Sequence, residues 1–463
     1  MSPAAHTEYA TPYGSDLSDR DVGQAFYAGD FPVAVYGLGK MGLPLAAVYA
    51  ETCGNVTGVD VDPDVAAAVD RGESPVEEPG LDDLVGELVA DGALSATTDV
   101  VGAARDAEIH VAIVPTLITE NDEPDLSVVE DLMADVAAGL SEGDLVVLES
   151  TVPPRTCEDR VLPLLESESG LSLGEFGLAF CPERTSSGRA LEDIRGAYPK
   201  IVGGVDDEST RVAAAIYGEI TDNEVITVAD ATTAEAVKVF EGVYRDVNIG
   251  LANELGRHAQ ELGIDVTEAI QAANTQPFCE IHDPGAGVGG HCIPYYPHFL
   301  IEEFDTDSRL METARSVNEE MPGYTATAAV DGLVDVGVDP TDARVLVLGL
   351  TYRPGVDELR ATPALPIVEQ LSSAGVAVEA VDPVTDDTEA FEQAGATIRD
   401  LDALGDEPYD AVVLVTAQPA FDDLDVPALG RGDTPLVVVD GRQELTELRG
   451  DDAVHYRGVG VNV

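Results

Sequence analysis

Two stretches of this chain, FPVAVYGLGKMGLPLAAVYAE (31–51) and ARVLVLGLTYRPG (343–355), share one construction, a short apolar run that breaks at a glycine. A run of four to six apolar residues bounded by turn residues reads as a strand buried on both faces. The first stretch is followed by NVTGVDVD, EIHVAIVPT (108–116), DLVVLESTVP (144–153), GLAFCPER (177–184) and KIVGG (200–204), with helical patterns at 61–71, 80–91 and 126–140. The second is followed by GVAVEAVDP, YDAVVLVTAQ and PLVVVDG. Strands alternating with helices predict a parallel, doubly wound α/β sheet, and here the pattern occurs twice. Between the two lies ATTAEAVKVFEGVYRDVNIGLANELGRHAQELG, one long helical pattern that continues to about 274. Val237, Phe240, Tyr244, Val247, Leu251 and Leu255 recur along it at three- and four-residue steps. The expected division is a polar N-terminal extension (1–30), a first α/β domain (31–228), a helical region (229–323) and a second α/β domain (324–463).

Gly37-Leu-Gly39-Lys-Met-Gly42 leaves a strand and opens a helix, the context that a dinucleotide fingerprint requires. The first glycine makes the turn, the second admits a pyrophosphate to the backbone, and the third lets helix pack on sheet. Asp60, at the end of the next strand, suits ribose hydroxyls and repels a 2′-phosphate, which favours NAD over NADP. A different chemistry is concentrated in GVGGHCIPYYP (287–297). Cys292 there has three readings: a buried structural thiol, a zinc ligand with Cys279, His282 and His291, or a nucleophile toward a carbonyl. Adjacent His-Cys ligands fit zinc spacing poorly, so no metal is expected. Glu149-Ser150-Thr151 and Pro182-Glu183-Arg184 sit at strand carboxyl ends, where α/β sheets place ligands or simply cap helices. Lys238 lies three residues before Glu241, the spacing of an ordinary helical ion pair.

Composition narrows the partners. The 463 residues carry 88 acidic and 24 basic side chains, a net charge of −64 without long acidic blocks. Nucleic acid is not an expected partner, because phosphate binding needs clustered Lys and Arg. Such self-repulsion calls for screening by salt, so a salt-rich cytoplasm, as in a halophile, is expected. No apolar run reaches the roughly 18 residues of a membrane span. The first thirty residues have no export signal's basic start and apolar core. Lys40, Lys200 and Lys238 are the only lysines, which raises the weight of each. Five scattered cysteines without a CxxC pair argue against a disulfide framework.

The ordered set GLGKMG, VEEPGL (76–81), VPT (114–116), ESTVPP (149–154), CPERTSSG (181–188), AEAVKVFEGVYRDVNIGLANEL (234–255), GVGGHCIP (287–294) and GLTYRPGVDELRATPA (349–364) resembles the nucleotide-sugar dehydrogenases. That family oxidises UDP-glucose, GDP-mannose or UDP-N-acetylmannosamine, and the likeness runs from about 31 to 460. The resemblance implies two Rossmann-like domains joined by a long central helix that also makes a homodimer. It implies two successive NAD-dependent oxidations at C6 of a UDP-sugar, two NAD+ per sugar, whose uronate product serves polysaccharide assembly. Matching positions make Cys292 the nucleophile that forms a thiohemiacetal and then a thioester, Thr151 a relay through water, Glu183 the hydrolytic residue and Lys238 the oxyanion stabiliser. NAD would contact Gly37, Leu38, Gly39, Met41, Gly42, Asp60, Pro115, Thr116, Thr151 and Arg360. The sugar nucleotide would contact Glu183, Arg184, Lys238, Asn248, Gly289, Gly290, Tyr352 and Arg353, the last standing where lysine is usual.

Two residues depart from the family pattern: Gly242 replaces an asparagine four residues after the lysine, and Tyr296 an aspartate four residues after the cysteine. A non-catalytic nucleotide-sugar and NAD sensor is therefore an alternative, as is a two-electron hydroxyacid dehydrogenase that needs no cysteine. Within the family, HCIP and VPT…EPDLSVVE (114–130) most resemble the UDP-N-acetylhexosamine branch. UDP-N-acetyl-D-mannosamine is the expected substrate, ahead of UDP-N-acetylglucosamine and UDP-glucose.

Overall fold

The structure, a computed structural model, describes residues 11–119, 121–186, 188–405 and 407–461. The first ten residues of the expected extension and Ser187 of CPERTSSG lie outside the described residues. The chain divides into two compact units, Met1–Glu241 with His298–Phe304, and Gly242–Pro297 with Asp305–Val463.

The first unit is built on β1 (Val33–Tyr36), β2 (Val56–Val59), β3 (Leu94–Thr97), β4 (Ile109–Ala112), a small hairpin of β5 (Leu117–Ile118) and β6 (Pro124–Asp125), then β7 (Leu145–Leu148), β8 (Gly177–Phe180), β9 (Lys200–Gly204) and β10 (Val225–Thr227). Its main sheet runs in the order β10-β9-β8-β7-β4-β1-β2-β3. β1 pairs in parallel on both sides, Val33 standing opposite Val56 and Ile109. Strand order therefore reverses at β1 and β4, and their carboxyl ends flank the crevice where such sheets bind ligands. The winding departs from the all-parallel expectation at one edge, where β9 pairs antiparallel to β8. All four residues of β1, β4, β7 and β8 are buried, because helices cover both faces.

Part of the expected N-terminal extension belongs to this core. Asp19–Tyr27 is a helix capped by the Ser18 side chain, and its Val22 and Phe26, one turn apart, are fully buried. Two apolar residues at that spacing suffice to dock a helix whose other face is acidic. Only the polar composition around them hid the pattern.

The second unit contains β11 (Arg344–Leu348), β12 (Ala377–Val381), β13 (Thr397–Ile398), β14 (Ala411–Leu414), β15 (Leu436–Asp440) and β16 (Val454–Gly458). The sheet is wholly parallel in the order β13-β12-β11-β14-β15-β16, which repeats the winding of the first unit's β3-β2-β1-β4-β7-β8. The helix Arg309–Asp335 runs through the boundary expected near 324, and Pro322 lies within it.

The long helical pattern is one helix, Ala231–Arg257, followed by Ala259–Leu262 and Val266–Ala273. Its buried positions are largely small or polar, among them Ala234, Glu235, Gly242, Asp246, Ala252 and Asn253. Phe240, Tyr244 and Leu251 of the apolar stripe are instead exposed by 57%, 54% and 48%. No helix among the described residues is long and apolar enough to cross a membrane.

Candidate active site

The glycine loop after β1 fits a dinucleotide. Gly37 has φ +94°, and a Cβ on Gly42 would lie 1.8 Å from the Gly37 carbonyl oxygen, so neither position tolerates a side chain. Gly39 faces open space, leaving the backbone approachable. The helix Gly42–Cys53 starts with no side-chain cap, so its first N–H groups and its dipole are available to an anion. Asp60 Oδ2 accepts from the Leu38 N–H at 2.8 Å and Oδ1 from the Asp62 N–H at 3.0 Å. Each oxygen keeps a second acceptor site, which is what a ribose diol needs. These residues suit NAD on chemistry and on shape.

Other expected residues of the first unit gather around the same sheet end. The VPT segment after β4 is tied to the EST segment after β7, since Ser150 Oγ accepts from the Val114 N–H at 2.8 Å and Thr116 Oγ1 donates to the Thr151 carbonyl at 2.6 Å. Pro115 lies between those two anchors. Thr185 Oγ1 reaches Met41 Sδ at 2.9 Å, joining the segment after β8 to the glycine loop. Lys238 is nearly buried, with Nζ 3.8 Å from Glu183 Oε2, while Glu183 Oε1 accepts from the Thr185 N–H. The ordinary helical pair with Glu241 does not form, because Glu241 is held by Arg184 at 2.6 Å. Arg184 also donates to the Pro199 carbonyl at 2.9 Å.

The second unit carries the cysteine loop. Cys292 is exposed. A Cβ on Gly290 would meet the Tyr352 ring at 2.8 Å, and one on Gly289 would meet Tyr352 Cβ and the Ala361 carbonyl at 2.7 Å. The two glycines therefore exist so that Tyr352 can lie against the loop. The Gly290 N–H donates to the Arg360 carbonyl at 2.9 Å, and His291 Nε2 lies 3.2 Å from Glu358 Oε2. Burial raises the Tyr352 hydroxyl pKa; the charges of Cys292 and Glu358 add to the rise, and Arg353 and Arg245 oppose it. Asn248 is occupied structurally, donating to the Glu280 carbonyl at 2.6 Å and accepting from the His282 N–H at 2.9 Å. Of the four candidate zinc ligands, Cys279 contacts Asn274 and His291 lies against Glu358, while His282 Nε2 is buried with no hydrogen-bond partner among the described residues. Among the described residues no three His, Cys, Asp or Glu side chains assemble around a common point.

Three residues escaped sequence reasoning. Glu235, fully buried on the lysine-bearing helix, accepts from the Arg155 and Cys157 N–H groups at 2.6 and 2.8 Å and so fixes the turn that follows Thr151. Asn253 accepts from the Gly285 N–H at 2.9 Å and anchors the start of the cysteine loop. Arg442 follows β15, donates from Nε to the Val415 carbonyl at 2.8 Å, and brings a terminal nitrogen to 2.9 Å from where a Gly285 Cβ would stand. Burial lowers its pKa, and no carboxylate pairs with it among the described residues. A cation so placed beyond β14, at the crevice of this sheet, suits an anionic ligand. The signal was present as the GR that ends PLVVVDGR, but an arginine among 21 attracts little notice.

Two units wound alike, one with a dinucleotide loop and the other with an exposed thiol on a glycine loop, define a nucleotide-dependent oxidoreductase. The chain belongs to the UDP-glucose/GDP-mannose dehydrogenase family, NAD-dependent enzymes that oxidise nucleotide sugars. It matches the family's NAD-binding domain over residues 31–221, its central domain over 232–320 and its UDP-binding domain over 346–447. It is 35% identical to a UDP-N-acetyl-D-mannosamine dehydrogenase of Pyrococcus horikoshii, over 90% of this chain and 96% of that protein. It is 34% identical to an NDP-N-acetyl-D-galactosaminuronic acid dehydrogenase of Ralstonia solanacearum, over 89% and 95%. The solved structure of a UDP-D-ManNAc dehydrogenase from Pyrococcus horikoshii superposes with a TM-score of 0.83 at 33% identity, covering 93% of this chain and 99% of that one.

Proposed function

We propose that the chain oxidises the C6 hydroxyl of a UDP-sugar to the carboxylate, with UDP-N-acetyl-D-mannosamine as substrate and UDP-N-acetyl-D-mannosaminuronate as product. The observation that carries this reading is the exposed Cys292, held on a glycine loop by Tyr352 and the Arg360 backbone. A dehydrogenase that stopped at an aldehyde or ketone would have no use for it. The choice of sugar is supported by the HCIP motif and by the relatives named for N-acetylated hexosamines.

NAD+ would supply the oxidising power, two molecules in succession each taking one of the two hydrides that separate alcohol from acid. Loss of the first hydride and a proton leaves an aldehyde. The Cys292 thiolate adds to its carbonyl carbon, and the resulting thiohemiacetal loses the second hydride to become a thioester. Water attacks the acyl carbon, the C–S bond breaks, and uronate and thiol are released. Lys238 stabilises the oxyanions of these steps, since an ammonium beside developing negative charge is most effective where water is scarce. Glu183 serves the hydrolytic step and Thr151 orients a water. Residues 31–228 are assigned to NAD, 229–323 to the catalytic loop and dimerisation, and 324–463 to the UDP-sugar. Arg442, with Tyr352 and Arg353, is assigned to the UDP moiety.

A panel of UDP-hexoses, followed by NADH absorbance in molar KCl, tests this. UDP-N-acetyl-D-mannosamine should give the highest kcat/KM. NAD binding without reduction by any of the sugars would leave a sensor instead. Phe240, Tyr244 and Leu251, one exposed face of the long helix, support a homodimer formed by a second copy of that helix. The net charge supports a cytosol rich in salt. Light scattering in molar and in dilute KCl addresses both: a monomer in high salt contradicts the dimer, and an unchanged assembly in dilute buffer contradicts the salt requirement.

A further inference from the structure

The two departures from the family pattern meet in space. Gly242 lies buried on the long helix, and a Cβ added there would stand 2.3 Å from Tyr296 Cδ2 and 3.0 Å from the Tyr296 Cβ and Cγ. Real Cβ atoms do not approach ring carbons at 2.3 Å. The ring of Tyr296 thus fills the volume directly above Gly242, and any side chain at 242 must expel it.

Nothing in the backbone calls for glycine at this position. It lies inside a regular helix with no positive φ, where glycine is destabilising relative to alanine. The tyrosine ring is what accounts for it. Tyr296 is 8% exposed, and its N–H donates to the Cys292 carbonyl at 3.0 Å, so the ring belongs to the turn that the cysteine starts.

We propose that Tyr296 is a positioning residue for Cys292: a plug seated in a notch at Gly242, which fixes the cysteine's turn against the long helix. The two departures are then one coupled replacement and not two separate losses. The proposal rests on Cys292 being the nucleophile. It requires the ring, and it requires that position 242 stay empty.

Five variants test it: Gly242→Asn, Tyr296→Asp, their double, Tyr296→Phe and Cys292→Ala. Each is measured in molar KCl for kcat, for NAD affinity, for melting temperature and for the rate of Cys292 alkylation by iodoacetamide on the intact protein. Gly242→Asn should lower kcat at least tenfold and change the alkylation rate at least threefold, with NAD affinity unchanged. Tyr296→Asp should act in the same direction. The double variant, in which a small residue faces a small residue, should recover to within about threefold of wild type, and Tyr296→Phe, which keeps the ring, should lose at least threefold less than Tyr296→Asp in both readouts. Full activity in Gly242→Asn, a double variant as impaired as the product of the singles, or a Tyr296→Phe as impaired as Tyr296→Asp would each overturn the plug. Cys292→Ala separates the premise: two NADH per sugar from that variant would remove the nucleophile whatever the other four show.

Discussion

The loops that follow β1 and β11 start from the same bonds and diverge within three residues. In the first unit the Gly37 N–H donates to the Val59 carbonyl at 2.8 Å, and in the second the Gly349 N–H donates to the Val381 carbonyl at 2.9 Å. In each, an aspartate at the end of the neighbouring strand accepts from the next N–H, Asp60 from Leu38 at 2.8 Å and Asp382 from Leu350 at 2.7 Å. After that the surroundings differ. Asp60 takes one further backbone bond, from the Asp62 N–H, as Asp382 does from the Val384 N–H, but Asp382 also accepts from the Thr351 N–H and hydroxyl and from Gln418 Nε2. The first unit's helix begins at Gly42, directly on the loop, while the second unit's begins only at Ala364. One winding therefore yields an open aspartate under a helix N-terminus in one case. In the other it yields a saturated aspartate beneath an elaborated loop that supports a cysteine. The lesson is that strand order sets where a ligand goes, and a dozen loop residues set which ligand.

Substitutions can break this contrast. The largest effect is expected from Gly42→Ala. Its new methyl would sit 1.8 Å from the Gly37 carbonyl oxygen, so NAD binding should be undetectable by titration calorimetry and the first unit destabilised by several kcal/mol. A variant that binds NAD normally would show that this loop is not the cofactor's.

A paired substitution sharpens it further. Asp60→Asn should weaken NAD roughly tenfold to a hundredfold with little change in melting temperature, since the ribose loses charge-assisted bonds of about 1.5–3 kcal/mol. Asp382→Asn should do the reverse, leaving NAD affinity alone and lowering stability by about 2–3 kcal/mol, because five donors converge on that carboxylate. Equal effects of the two on NAD would dissolve the distinction.

The smallest expected effect is a matter of pH. Burial pushes the Glu235 carboxyl up to about 7, against the pull of the Cys157 and Arg155 N–H groups. An unfolded glutamate titrates near about 4.3. The folded state thus holds this proton more tightly, and its contribution to stability is fully present below about pH 4 and lost as pH rises through 7. Glu235→Gln cannot titrate. Its melting temperature should fall less than that of wild type between pH 5 and pH 8, and parallel curves would contradict the shift.

Much of this architecture was legible in the sequence. The strands buried on both faces, β1, β7, β8, β11, β14 and β15, are built on unbroken apolar runs, β4 is interrupted only by the buried His110, and helices between them leave few alternatives. The edges were less visible. β13 has two residues, and β16 reads VHYRG, a strand whose polar character follows from its place at the margin. The antiparallel turn at β9 has no signature at all, since KIVGG pairs equally well in either direction. At the site, glycines and cysteine declared themselves because few residue types can do their work. Glu235, Asn253 and Arg442 did not, because their roles depend on backbone groups far away in the chain. The coupling of Gly242 to Tyr296 was likewise invisible until the ring was seen above the helix.

The central claim is that Cys292 captures the aldehyde covalently, so that one sugar yields two hydrides and no free intermediate. The most direct measurement counts NADH formed per UDP-N-acetyl-D-mannosamine consumed in molar KCl, with the intact protein weighed in the same reaction, for wild type and for Cys292→Ser. Wild type should give two NADH per sugar with no trappable aldehyde. The serine variant should stall with the mass of one acylated sugar nucleotide, because an ester hydrolyses more slowly than a thioester. One NADH per sugar with released aldehyde from wild type, or two per sugar at full rate from Cys292→Ser with no added mass, would contradict the account.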